Sequence, residues 1–108
     1  SDVTAVATWQ SQIIYKEFSG FAQGSPLVTA DMKAQISAWI KANPGFTVAE
    51  CLGYTMGPTV LPVDKQLATN RAQYSCAYVR EAFPRISASG KWGGNDLVVG
   101  DTIRRVLT

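Results

Sequence analysis

Two kinds of hydrophobic periodicity alternate along the chain, and the alternation restricts it to a small set of α/β architectures. Residues Ile13 to Phe21 are dense in β-branched and aromatic types, and Gly20, Gly24 and Pro26 end the run, so they read as the first strand. Thr29 then precedes Ala30 to Ala42, where Met32, Ile36, Trp39 and Ile40 recur at helical spacing until Asn43-Pro44-Gly45 stops them. Phe46 to Leu52 returns to a period of two and breaks at Gly53, which opens a loop to Val63. Asp64 suits the N-cap of a second helix, because its short carboxylate accepts orphan backbone N–H groups. Leu67, Ala68, Ala72, Ser75, Cys76, Val79 and Phe83 form that helix's apolar stripe, and Pro84 closes it. Arg85 to Trp92 alternates again, Gly93-Gly94-Asn95-Asp96 reads as a turn, and Ile103 to Thr108 reads as a last strand. Only Ser1 to Gln12 is ambiguous: Val3, Ala5 and Ala7 alternate weakly, compatible with an edge strand or an ordered tail.

The resulting order, β-α-β-α-β-β, predicts an α/β (α+β) two-layer sandwich, a mixed sheet with both helices on one face. A chain of 108 residues is one domain's worth, so residues 1–108 are read as a single domain with residues 1–12 as an N-terminal extension. With 46% hydrophobic and 17% charged residues the chain can bury a core and does not have the composition of disorder. No repeat interrupts this pattern.

Several function classes are disfavoured. The chain contains no histidine, which removes the commonest general base and the usual zinc ligand. The eight carboxylates are scattered, no two acids are adjacent, and no constellation of nucleophile with base or of metal ligands stands out, so neither an enzyme nor a metal or cofactor site is expected. A net charge of +2, from lysines and arginines scattered along the chain, is a poor footprint for nucleic acid. No apolar run approaches the roughly 20 residues that span a bilayer, and no signal-peptide pattern follows Ser1, so a trimmed soluble module is expected. Cys51 and Cys76 permit one disulfide; two buried thiols are the alternative. Of the three tryptophans, Trp39 belongs to a helix stripe and to the core, leaving Trp9 and Trp92 as candidates for an exposed, sugar-stacking face.

At the join between the second strand and the second helix the chain resembles the OmpA-like family of peptidoglycan-binding domains. That family has a Gly-His-Thr-Asp loop, then a helix that opens with Asn and carries Leu-Ser and Arg-Ala. Here Gly53-Tyr54-Thr55-Met56 stands in the loop, Asp64 in the Asn position, Leu67-Ala68 in the Leu-Ser position, and Arg71-Ala72 completes the helix motif. Arg71 lies fifteen positions after Met56, the family's usual spacing. Upstream, Phe18 to Thr29 resembles the first strand and helix entry, and Arg104-Arg105-Val106 resembles the closing strand, so the likeness covers most of the chain after Gln12.

The resemblance implies a bacterial cell-envelope or secreted protein that grips the stem peptide of peptidoglycan at a diamino acid. Such a zwitterion needs one fixed cation and one fixed anion. Arg71 would take the carboxylate with its guanidinium fork. Tyr54, Thr55, Met56 and Asp64 would complete the site. The family's loop aspartate is replaced here by Met56, an uncharged thioether and a weak acceptor. Losing a charged hydrogen-bond partner costs about 1.5 to 3 kcal/mol, roughly ten- to a hundredfold in affinity. Either Asp64 reaches the ammonium from the helix, or the ligand is a stem peptide with no free ammonium there. The rival expectation is a protein-interaction or adhesion module that kept the fold and lost wall binding. An oxidising envelope compartment also implies a Cys51–Cys76 bridge, tying the second strand to the second helix.

Overall fold

The computed structural model of the chain describes residues 3–9, 12–56 and 58–95. They form a mixed four-stranded sheet with two helices: β1 (Val3–Trp9), β2 (Gln12–Phe18), α1 (Ala30–Ala42), β3 (Val48–Thr55), α2 (Pro62–Ala82) and β4 (Ser87–Asn95). The spatial order is β2-β1-β3-β4. β1 runs antiparallel to β2 and to β3, whereas β3 and β4 are parallel and need α2 as their crossover.

From β2 to β4 the element order is the one the periodicity predicts. The N-terminal segment is a strand, and it lies inside the sheet rather than at its edge. Its pattern is faint in the sequence because two of its inward residues are alanines, Ala5 and Ala7, and because Thr4 is buried as well as Val3. The expected last strand, Ile103 to Thr108, lies outside the described residues.

The two helices form for the expected reasons but start differently. Thr29 caps α1 by accepting a hydrogen bond from the Met32 N–H at 3.2 Å. α2 begins at Pro62, whose fixed φ suits the first helical position, and the cap residue is Leu61 with no side-chain bond. Asp64 is therefore not the N-cap but a first-turn residue, where its charge still complements the helix dipole.

Each helix is held by different side chains. α1 buries Met32, Ile36 and Ile40 completely, and Trp39 packs between Phe18 and Phe46 at ring-centroid distances of 6.1 and 5.1 Å. α2 instead presents Ala68, Ala72, Ser75, Cys76 and Val79. Its backbone lies directly on two glycines: a Cβ at Gly53 would overlap the Ala68 carbonyl, and one at Gly90 would overlap the Ala72 carbonyl. Cys51 and Cys76 close this seam with a disulfide, their Cα atoms 5.8 Å apart and both residues fully buried.

Two expected breaks are thus corrected. Gly53 does not end its strand, since β3 continues to Thr55. The glycine is there for the approach of a helix, not for a turn. Gly93 and Gly94 likewise lie within β4, where the register shifts opposite Gly53/Tyr54. Gly94 has φ 114°, and a Cβ at Gly93 would come within 2.7 Å of the Tyr54 ring.

Candidate ligand cleft at the start of α2

The parallel pair β3–β4 ends beside the first turns of its crossover helix, and in α/β sheets crevices form outside the carboxyl ends of such strands. A cleft of about 260 Å³ opens there, lined by Tyr54, Thr55, Met56, Asp64, Leu67, Ala68 and Arg71. All five residues singled out from the sequence therefore border one cavity: three from the end of β3 and the residue after it, two from α2. The seam beneath fixes their separation, because Gly53 and Ala68 are in backbone contact and the Cys51–Cys76 bridge locks the same strand to the same helix.

The five differ in character. Tyr54 is buried, with its ring over Gly93, so it is a wall of the cleft rather than an open stacking surface. Thr55 is buried too, and its hydroxyl donates to the Gly94 carbonyl at 3.5 Å, tying the cleft floor to β4. Met56 is 64% exposed at the rim. Asp64 is exposed in the first turn of α2, and among the described residues it has no ion-pair partner.

Arg71 is half-buried and held from a side the sequence did not indicate. Its Nε donates to the Ser25 carbonyl at 2.9 Å and its Nη2 to the Ala22 carbonyl at 3.0 Å, while the guanidinium lies 4.8 Å from the centre of the Phe21 ring. The segment between β2 and α1 thus wraps around the guanidinium and orients it. Carbonyl and ring contacts of this kind fix the direction in which a guanidinium points. The sequence reading assigned Phe21 to the end of a strand, and the one hint of its actual place was the cluster of glycines at 20 and 24, both at positive φ.

Other sequence candidates fall elsewhere. Trp92 is half-buried with the Lys65 ammonium 4.3 Å above its ring centre, which removes that face as a sugar platform. The Trp9 side chain and the Arg104–Arg105 pair lie outside the described residues. A larger cavity, about 410 Å³, sits at the opposite end of β3, between Gln12 and Ile14 of β2 and the Asn43 to Phe46 segment, and no charged side chain lines it.

The arrangement defines a disulfide-tethered mixed-sheet α/β domain with a small charged cleft at a strand–helix crossover. The chain matches no family model, no curated protein and no solved structure. No helix among the described residues is long and apolar enough to cross a membrane. The Cys51–Cys76 bridge is compatible with an oxidising, extracytoplasmic setting.

Proposed function

We propose that this domain is a non-enzymatic, extracytoplasmic module that binds the stem peptide of peptidoglycan non-covalently and so anchors a bacterial envelope or secreted protein to the cell wall. The observation that carries the reading is the convergence of Tyr54, Thr55, Met56, Asp64 and Arg71 on one cleft. In it a cation and an anion stand two turns apart on one helix, the complement a zwitterionic diamino acid requires. A guanidinium oriented in advance by Ala22 and Ser25 favours binding, because little side-chain entropy is left to lose when a carboxylate arrives. The likeness to OmpA-like domains supports the role given to Arg71.

The test is a pull-down with purified sacculi, using the disulfide-intact domain. Wild-type protein is expected to sediment with the wall and to be released by free diamino acid. Arg71→Ala is expected to remain in the supernatant while keeping its circular dichroism. Wild-type protein that stays in the supernatant would sink the proposal.

A second reading, a protein-interaction or adhesion module, is favoured by one feature. Met56, Val60, Leu61 and Val63 are all exposed around the loop that enters α2, an apolar rim that suits a protein partner better than a sugar–peptide polymer. Failure of wall binding together with retention of the fold would support that alternative.

A further inference from the structure

The two edges of the sheet are protected unequally among the described residues. At β4 the register shifts at Gly53/Tyr54, Gly94 takes a positive φ and Lys91 stands exposed, all features that discourage pairing with a further strand. β2, the other edge, pairs with β1 without interruption from Phe18 to Gln12 and contains no proline or glycine. Its charges, Lys16 and Glu17, are confined to one half of the strand. The half from Gln12 to Tyr15 has none, and Ile13 and Tyr15 are 42% and 43% exposed. A regular, apolar edge of this kind is a template for an added strand. The cavity of about 410 Å³ abuts the same half. Gln12 and Ile14, alternate residues of β2, form one wall, the Ala42 to Phe46 segment forms the rest, and no residue of β1, β3 or β4 lines it. Asn43 donates to the Trp39 carbonyl at 2.9 Å, which ties that segment to the end of α1. The volume lies within the range of ligand pockets, roughly 300–1,000 Å³, and the walls are apolar apart from two carboxamides.

We infer that the free edge of β2 is a docking site for an extended peptide that joins the sheet antiparallel and lowers apolar side chains into this cavity. A strand added there lies about 4.8 Å from β2 and directs every second side chain to the face shared by Gln12 and Ile14. Main-chain hydrogen bonds supply the attraction and the cavity supplies the selectivity. Charge defines the occupant further. Lys16 shares the face of Ile14, and Glu17 shares that of Ile13. Their partners in β1 are Ala5 and Thr4, and neither charge has an ion-pair partner among the described residues. The complementary peptide therefore reads, from its N-terminus, basic, acidic, β-branched, apolar, any, apolar, set opposite Glu17, Lys16, Tyr15, Ile14, Ile13 and Gln12 in turn. A second copy of β2 offers Lys16 no acid, because its one acidic residue, Glu17, lies on the other face of a two-fold sheet. This site lies at the opposite end of β3 from the cleft and does not depend on wall binding.

The experiment titrates the disulfide-intact chain with the capped peptide Arg-Asp-Val-Leu-Thr-Phe and follows amide chemical shifts. Shifts are expected along β2 and in the segment after α1, and not around the Tyr54–Arg71 cleft. Replacing the peptide's Leu and Phe by Ala is expected to weaken binding by about tenfold or more. The double variant Lys16→Glu/Glu17→Lys changes two exposed positions. It is expected to bind the same peptide about fivefold more weakly and to recover wild-type affinity for Glu-Lys-Val-Leu-Thr-Phe, a rescue that a folding defect would not give. No shift along β2 at millimolar peptide overturns the inference. Binding that ignores the charge exchange, or the loss of Leu and Phe, overturns it as well. Shifts along β2 that follow protein concentration without peptide would make a second copy the occupant and overturn the peptide assignment.

Discussion

The two helices of this domain are fastened to the sheet by opposite means. α1 rests on long side chains, Met32, Ile36, Trp39 and Ile40, that interdigitate with Phe18 and Phe46. α2 rests on almost none: alanine, serine and cysteine bring its backbone against Gly53 and Gly90, and a disulfide completes the contact. Long side chains can repack when a neighbour changes, since hydrophobic swaps of similar volume are tolerated in cores. Backbone against backbone has no such freedom. The helix that carries both charged residues of the cleft is thus the one whose position the fold leaves least room to adjust.

The largest test of this contrast removes the covalent half of the seam. The bridge closes a loop of sequence separation 25, for which chain-entropy arguments give about 3.5 kcal/mol. The double variant Cys51→Ala/Cys76→Ala is therefore expected to unfold at markedly lower denaturant concentration, measured by urea titration against the oxidised wild type. A loss below about 1 kcal/mol would mean that packing alone holds α2 and that the bridge is incidental.

Next comes the non-covalent half. Gly90→Ala forces a methyl group into the Ala72 carbonyl, and neither partner is the end of a flexible chain, so about 3 kcal/mol of destabilisation is expected. Met32→Leu, at a fully buried position of α1, is expected to cost less than about 1.5 kcal/mol in the same titration. Equal costs for the two would erase the distinction between a rigid and an adaptable helix contact.

The same contrast explains what could be read in advance. α1 was legible because large apolar residues at helical spacing announce both the element and its buried face. The stripe on α2 was legible too, but its partners were not. A glycine in a strand pattern has the same letter whether it makes a turn or admits a helix, and Gly53, Gly93 and Gly94 were all read as breaks. β1 was left open because Ala5 and Ala7 carry little periodic signal even at an interior position of the sheet. In the cleft, the five residues were picked out by order and spacing along one strand–helix unit, which is local information. The grip of Ala22 and Ser25 on Arg71 spans 49 and 46 residues, and no pattern within a single element encodes it.

The smallest expected change in stability is the most informative for the cleft. Asp64 is exposed in the first turn of α2 with no ion-pair partner among the described residues, so its contribution to folding is the attraction of a carboxylate to a helix N-terminus, about 0.5 kcal/mol or less at this exposure. Asp64→Asn keeps the shape and loses only the charge, so its unfolding midpoint should sit within a degree or two of wild type, and a little closer at high salt. A residue that the seam does not need, on a helix the seam holds rigid, can change its chemistry without moving its neighbours. Any large drop in the melting temperature of Asp64→Asn would show instead that the carboxylate braces the start of α2, and the separation between a rigid seam and a chemically variable cleft would fail at the residue where it matters most.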